Sequence, residues 1–269
     1  LFSAELFGSP VRIGTVTNVA FSEIAPDFIE IENSGGSFAS LAGCSLRAGS
    51  GGTYRFGMTN LAAHAFLTIA RTNLGFSLND GDRLFFLGAG GETVDAVEIR
   101  QHGRGRKKNH PEAPWYFTES DTPGAPNAIT LRQDIVINEI MYHHPPAYRT
   151  EETPFTENEE QWIELHNISS TTVDLSGWEL NGEVRYAFPA GTTLSGNSYL
   201  VVAKDAARLR VKHPGIEIVG NFDQRLSHHS GRLILSDANG NPADEVRYHN
   251  SHPWPAYANG GGSTLELRD

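Results

Sequence analysis

The chain has 269 residues and a formal net charge of −11, so length alone favours two domains. The acidic charge disfavours nonspecific binding to nucleic acid, whose phosphates it would repel. The single cysteine, Cys44, excludes an intrachain disulfide, and the absence of any apolar run of about 18 residues predicts that no segment spans a membrane.

Charge is unevenly shared along the chain. Residues 1–132 hold 11 Lys and Arg against 13 Asp and Glu, a net −2, whereas residues 133–269 hold 10 against 19, a net −9. The sequence shows no signal peptide. Because it begins at Leu1 rather than Met, we expect an upstream segment to have been removed or left out.

The most informative pattern in chain order is an internal repeat at offsets of 116, 134 and 149 residues. Insertions fall between the matched runs, as loops do when two domains share a scaffold. A repeat this long predicts a domain at 1–128, a linker at 129–133 and a second domain at 134–269. The main matched runs are residues 19–24 with 135–140, 27–33 with 161–167, 41–46 with 175–180 and 95–97 with 244–246.

The matched runs are typical of short β-strands bounded by turn residues. Hairpins are predicted where residues 84–87 are followed by 94–99 and where residues 233–235 are followed by 246–248, the second with an Asn-Gly turn. One helix is predicted, with Asp205 as N-cap and residues 206–212 as its body. Many short strands with frequent turns predict an all-β sandwich or barrel in each half.

The second half carries five blocks in an order that resembles the lamin tail domain in its bacterial exported form. The resemblance implies two tandem immunoglobulin-like β-sandwiches that are non-catalytic modules of large secreted or cell-surface proteins. The first half is a divergent match, with Cys44 where the family has tryptophan, and it keeps the ending at residues 122–127. The second half lacks that ending, so we expect its last strand to lack the segment that usually follows it in the family. The five blocks are residues 137–140, 161–167, 173–180, 188–192 and 199–202.

Two glutamates recur at matched positions, Glu23 with Glu139 and Glu30 with Glu164. Carboxylates in pairs can perform acid–base chemistry or bind Ca²⁺. Their recurrence beside divergent loops favours the alternative that they hydrogen-bond to strand ends or pair with an arginine.

An acidic insertion offers a second oxygen-rich stretch, and its spacing fits no dedicated calcium loop. A solvated charged loop is the preferred interpretation, and a Ca²⁺ site there or in the turn at residues 237–241 is the alternative. No other cofactor is expected. The candidate acidic ligands are Glu151, Glu152, Glu159 and Glu160.

Histidines cluster in the second half, where His228 and His229 are the candidate zinc ligands. Zinc needs three or four converging ligands, and adjacent residues of an extended strand point to opposite faces. Loop or edge histidines are therefore the preferred interpretation.

The one basic patch precedes a cluster of aromatic residues. It could bind an anionic polysaccharide or an acidic neighbouring domain, and the aromatic side chains could stack on sugars or anchor a partner. A flexible basic loop and edge packing of the aromatics are the preferred alternatives. The candidate binding residues are Arg104, Arg106, Lys107, Lys108, Trp115, Trp254 and Tyr257.

Catalytic motifs for serine hydrolases, phosphate-binding loops and dinucleotide binding are absent from the sequence. Cys44 replaces Trp178 of the second copy, so we expect a small buried hydrophobe rather than a nucleophile. We therefore expect a non-enzymatic binding or assembly module, secreted or on a bacterial cell surface, with a protein or polysaccharide partner or a second copy of itself. A metal-assisted hydrolase and a carbohydrate-binding module are the competing hypotheses.

Overall fold

The computed structural model describes residues 18–107, 113–146 and 160–267, and nearly all of its regular elements are β-strands. The chain divides into two units, Leu1–Thr130 and Leu131–Asp269, called unit 1 and unit 2. No helix in the described ranges has the length and apolar character needed to cross a membrane.

The described part of unit 1 forms a sheet with the order β11-β10-β1-β2-β7, a second sheet with the order β5-β4-β8-β9 and a short β3-β6 pair. A 3₁₀ turn follows β7. The strands are β1 Val19–Ile24, β2 Phe28–Asn33, β3 Ala39–Ser40, β4 Ser45–Ala48, β5 Thr53–Arg55, β6 Asn60–Leu61, β7 Phe66–Ala70, β8 Arg83–Leu87, β9 Thr93–Glu98, β10 Arg104–Arg106 and β11 Trp115–Phe117, and the 3₁₀ turn is Arg71–Asn73.

The described part of unit 2 forms sheets with the orders β19-β18-β13-β12-β23 and β20-β16-β15-β21-β22, together with a β14-β17 pair. The elements are β12 Ile135–Met141, β13 Trp162–Asn167, β14 Val173–Asp174, β15 Glu179–Gly182, β16 Val184–Ala187, β17 Thr193–Leu194, β18 Tyr199–Ala203, α1 Ala206–Lys212, β19 Ile218–Gly220, β20 Asp223–Gln224, β21 Ser230–Ser236, β22 Pro242–His249, a 3₁₀ turn Ala256–Ala258 and β23 Leu265–Glu266.

The two units share one strand order. The run β10-β1-β2-β7 corresponds to β23-β12-β13-β18, and β5-β4-β8-β9 corresponds to β16-β15-β21-β22. A register shift interrupts the first pairing of each unit at the same place, between Phe21 and Glu23 and between Ile137 and Glu139. The matched sequence runs therefore occupy equivalent strands.

Each core lies between the two sheets of its unit, where alternate residues of each strand face inward. In unit 2, Ile163 and Leu165 of β13 and Leu233 and Leu235 of β21 have no exposed surface and belong to one cluster. The predicted all-β, immunoglobulin-like fold is confirmed. The corresponding buried residues of unit 1 include Ile29, Ile31, Leu84 and Phe86.

The predicted short helix is confirmed in its extent and its cap. Asp205 accepts a hydrogen bond from Arg208 N–H at 3.0 Å and so satisfies one free amide of the first turn. The helix connects β18 to the parallel strand β19. Leu209 packs with residues of both strands and with Trp162 in a small apolar cluster separate from the main core.

A buried asparagine ends the second strand of each unit and anchors the chain that follows it. Asn33 and Asn167, both buried, end β2 and β13. Asn33 Nδ2 donates to Leu61 O at 3.0 Å, and Asn167 Nδ2 donates to Leu194 O at 2.9 Å. These equivalent bonds tie the end of β2 to the β3-β6 pair and the end of β13 to the β14-β17 pair.

Candidate functional site

The repeated glutamates lie directly opposite each other in neighbouring strands. Glu23 of β1 pairs with Glu30 of β2, and Glu139 of β12 pairs with Glu164 of β13. Their sequence neighbours face the core, so these carboxylates lie on the outer face of the first sheet of each unit. Like charges placed directly opposite destabilise a sheet, and each unit must therefore supply hydrogen-bond donors.

In unit 1 the donors come from the loop that follows β11. Thr122 donates its amide at 3.1 Å and its hydroxyl at 2.9 Å to Glu23 Oε2, and Gly124 N–H donates to Glu30 Oε2 at 2.5 Å. Thr68 Oγ1 also donates to Glu30 Oε2, at 2.8 Å. Burial raises the pKa of Glu23, and the two bonds from Thr122 oppose that rise. These contacts match the structural interpretation of the glutamates.

In unit 2 the same face carries three carboxylates in a row, because Glu266 of β23 lies opposite Glu139. Thr264 Oγ1 donates to Glu139 Oε2 at 3.0 Å, and Asn138 Nδ2 donates to Glu164 Oε1 at 2.8 Å. Burial raises the pKa of Glu139, and the neighbouring Glu164 and Glu266 carboxylates raise it further. The row across β23, β12 and β13 therefore holds one carboxylate more, and receives fewer donated bonds, than the row of Gly105, Glu23 and Glu30 in unit 1.

An aspartate satisfies the backbone at each strand irregularity. Asp95 Oδ2 accepts from Phe21 N–H at 2.9 Å, and Asp244 Oδ2 accepts from Ile137 N–H at 2.7 Å. A β-bulge leaves one residue without its ladder partner, and a buried amide without a partner costs free energy. The matched aspartates are therefore structural.

Arg104 and Arg106 belong to strand β10 and are buried, so the expectation of a flexible, exposed basic loop is wrong for them. Arg106 forms two bonds to Asp95, at 2.5 and 3.2 Å, and donates to Phe21 O at 3.0 Å. Its guanidinium carbon lies 4.5 Å from the centre of the Trp115 ring. The buried carboxylate of Asp95 is thus paired with a buried arginine, whose planar guanidinium donates to several acceptors at once.

The other predicted binding residues near β10 differ in their exposure. Lys107 is exposed, and Lys108 lies outside the described residues. Trp115 is half-buried against the core of unit 1 and forms the outermost strand with its neighbours. Edge packing thus accounts for Trp115.

The sheet order and the carboxylate geometry of unit 2 are accompanied by a sequence match over the same region. Residues 130–250 match the Lamin Tail Domain family. No curated protein matches the chain. Among solved structures, a DUF4876 family protein from Bacteroides thetaiotaomicron VPI-5482 is 10% identical, with a TM-score of 0.29, and the alignment covers 76% of this chain and 64% of that one. The chain thus spans less than two thirds of that protein.

Two predicted aromatic binding residues follow the lamin tail match. Trp254 is half-buried against the core of unit 2, whereas Tyr257 is 75% exposed on the 3₁₀ turn. Of the two, Tyr257 is the side chain available to a partner.

The candidate zinc ligands do not converge. The rings of His228 and His143 stack with centres 3.9 Å apart, whereas His229 Nδ1 lies 3.3 Å from Asn250 Nδ2. Within residues 18–107, 113–146 and 160–267, no group of three His, Cys, Asp or Glu side chains is arranged to hold a metal ion.

Glu160 is the one candidate of the acidic insertion within the described residues. It is buried and forms ion pairs with Lys212 and Arg208 of α1, so it does not belong to a solvated loop. Asp237 in the other candidate calcium stretch accepts from Asn239 and Asn241 amides at 2.9 Å, as a turn residue does. Glu151, Glu152 and Glu159 lie outside the described residues.

Sequence reasoning missed the structural role of the two aspartates that accept the bulge amides. Asp95 and Asp244 stood in matched runs, and that recurrence was the available signal. Gln161 was also missed: its Nε2 donates to Tyr142 O at 2.7 Å and to Leu226 O at 2.8 Å. Such long-range bonds leave no local pattern, because the partners are far apart in sequence.

Proposed function

We propose that the chain is a non-catalytic binding and assembly module of a larger exported or cell-surface bacterial protein. We further propose that unit 1 is a divergent second copy of the lamin-tail-like domain. The lamin tail match at residues 130–250 and the shared strand order of the two units support this proposal. Function cannot be derived from a fold alone, so a particular surface has to carry it.

The surface that carries the proposal is the edge of the first sheet of unit 2. Among the residues that the structure describes, strand β23 is the outermost strand of that sheet, whereas its counterpart β10 also pairs with β11. An exposed strand edge offers backbone donors and acceptors that a partner strand can pair with. We therefore propose recognition of a protein partner through this edge and the loops beside it.

Photo-cross-linking tests the proposal. A photoreactive phenylalanine analogue replaces Glu266 on β23 or, as a control, Glu179 on β15 of the other sheet, since both side chains are exposed. After illumination on intact bacterial cells, we expect a discrete protein adduct from position 266 and none from position 179. Equal labelling from both positions, or none from 266, would contradict a docking edge.

The exposed Tyr257 favours carbohydrate binding as a second candidate function. A tyrosine that is 75% exposed beside a half-buried Trp254 offers a ring for stacking on a sugar. A glycan array separates the two candidates. Binding that Tyr257→Ala and Trp254→Ala both abolish would support the carbohydrate function, and an empty array would exclude it for the glycans displayed.

Metal analysis of the purified chain distinguishes a metal-assisted hydrolase from a non-catalytic binding module. Stoichiometric zinc or calcium that is lost when His228 and Glu160 are replaced would favour catalysis. We propose that no such metal is required, because Glu160 is already paired with Lys212 and Arg208.

A further inference from the structure

The second sheet of unit 1 turns a face with arginine and apolar side chains away from the core. Leu46, Leu84 and Phe86 belong to the core cluster, so the alternate residues of β4 and β8 point outward. Arg47 of β4 lies directly opposite Phe85 of β8. We call this surface the arginine face, and its main residues are Arg47, Arg55, Arg83, Phe85, Leu87 and Ala96.

The charges of the arginine face are available to a ligand. Arg47, Arg55 and Arg83 are all exposed. Within the part of the chain that the structure describes, neither Arg47 nor Arg55 forms an ion pair. Glu98, which lies opposite Arg83, pairs with Arg100 at 3.1 Å. Two guanidinium groups on this face can therefore bind an anion without first breaking a bond to a carboxylate.

The equivalent face of unit 2 neutralises its arginines. Glu245 of β22 binds Arg232 at 2.8 Å and Arg247 at 2.9 Å. It lies opposite β21 as Ala96 lies opposite β8 in unit 1. The carboxylate that balances this face in unit 2 is thus replaced by a methyl group in unit 1.

Two further positions change in the same direction. Arg47 occupies the strand position that Asn181 holds in unit 2, and Arg55 occupies the position of Ala187. Each replacement adds a positive charge to unit 1 while the strand order stays the same. The two units therefore differ in the surface chemistry of this face and not in its scaffold.

The size of the arginine face favours a chain-like ligand over a folded protein. Four strands of at most six residues give a footprint of roughly 400 Å² at a spacing of about 4.8 Å between strands and a rise of about 3.3 Å per residue. A stable protein interface buries about 800 Å² on each partner. Charges elsewhere on this acidic chain do not exclude an anionic ligand, because salt screens them beyond about 8 Å at physiological ionic strength.

We propose that the arginine face of unit 1 binds an acidic polysaccharide built from uronate units. Arg47 and Arg55 bind its carboxylates, for which the guanidinium offers two parallel N–H donors. Phe85, half-buried beside Arg47, offers an apolar ring against which a sugar ring packs. The inference goes beyond the proposed function, because it concerns another unit, another surface and another class of partner.

The experiment titrates the full chain into a fluorescently labelled oligogalacturonate at about 0.15 M salt and measures polarisation. Replacing both Arg47 and Arg55 by glutamine should weaken binding roughly tenfold to a hundredfold, because two charged donors are lost. Phe85→Ile introduces the residue that unit 2 has at this position, Ile234, and should weaken binding roughly threefold to tenfold. Circular dichroism of each variant confirms that it is folded.

The matched control is the double variant Arg232→Gln, Arg247→Gln, which removes the same charge from the equivalent face of unit 2. We expect it to bind the oligogalacturonate as the wild-type chain does. An affinity that falls as much in this control as in the Arg47 and Arg55 variant would overturn the inference, since net charge alone would then explain the binding.

Polyglutamate of similar length separates a sugar ligand from an acidic polypeptide. It carries carboxylates without sugar rings, and we expect it to bind at least roughly tenfold less tightly. Equal affinity for polyglutamate, or no binding of the oligogalacturonate by the wild-type chain, would overturn the inference. The cross-link from position 266 does not involve this face, so a failure here and a failure of the proposed function are separate results.

Discussion

Asp95 and Asp244 perform the same task with different surroundings. Each accepts the bulge amide of the first strand of its unit, but Asp95 is fully buried and Asp244 is half-buried. A buried carboxylate requires a compensating charge, and Arg106 supplies it. The equivalent strand position in unit 2 holds Leu267, an uncharged residue, and Asp244 there is only half-buried.

We expect Arg106→Leu to lower the free energy of unfolding of unit 1 by about 3–5 kcal/mol, because it leaves a buried carboxylate unpaired. The Arg106 and Asp95 side chains are only 2% and 1% exposed. The matched control is Arg232→Leu, which removes a half-exposed arginine from Glu245 while Arg247 stays on the same carboxylate, and it should cost only about 1 kcal/mol. Urea unfolding measures both, and equal losses would contradict the account.

A pH-dependent stability is expected from Glu32. Burial raises its pKa to about 7, and the neighbouring Glu30 adds to the rise. Between its ordinary value and about 7, the folded chain holds a proton that the unfolded chain has released. The contribution of Glu32 to the free energy of unfolding is therefore fully present at low pH and is lost as the pH rises from about 4.5 through about 7.

We expect Glu32→Gln to make the free energy of unfolding less dependent on pH between about 4.5 and 7. At pH 8 the variant should be more stable by on the order of 2–3 kcal/mol. Urea unfolding across this pH range measures the effect, with the exposed Glu119→Gln as control. An unchanged pH profile in Glu32→Gln would rule out this source of the dependence.

At the scale of elements, capping and alternation identified the helix and the two long hairpins. The helix signal was strong because Asp205 precedes an uninterrupted body and Pro214 follows it. The two-residue pairs β3-β6 and β14-β17 were not predicted, since strands so short have no readable period. Strand β10 was mistaken for a basic loop because its charges are neutralised by Asp95 and covered by Trp115, contacts that depend on the tertiary fold.

We expect Asp205→Ala to reduce the stability of unit 2 by about 1 kcal/mol, because the Arg208 amide loses its acceptor. Asp205→Ser retains a capping oxygen and should restore most of that loss. Thermal unfolding of the full chain compares the two variants. A serine variant as unstable as the alanine variant would show that the cap is not the cause.

At the scale of the whole molecule, both units have their own core cluster and the same strand order. The internal repeat predicted this equivalence, because the matched runs kept their order across the chain. It could not predict the outer surfaces, which differ through insertions and through the segments that cover β10.

We expect residues 1–130 and 131–269 to fold when they are produced separately, since each unit has its own core. Dispersed amide spectra and one cooperative unfolding transition for each half would agree with this expectation. A half that is unfolded alone would show that it depends on the other unit.

The proposed binding function depends on the β23 edge of unit 2, where we expect a strand of the partner protein to pair. Leu267 N–H donates to Asn138 O at 2.8 Å, so the neighbouring Glu266 N–H faces away from the sheet. Hydrogen exchange of the full chain, alone and bound to the protein captured by cross-linking at position 266, measures the protection of this amide. Slower exchange at Glu266 with unchanged exchange in β15 and β16 is the predicted result, and unaltered exchange at Glu266 while the partner is bound would contradict the proposal.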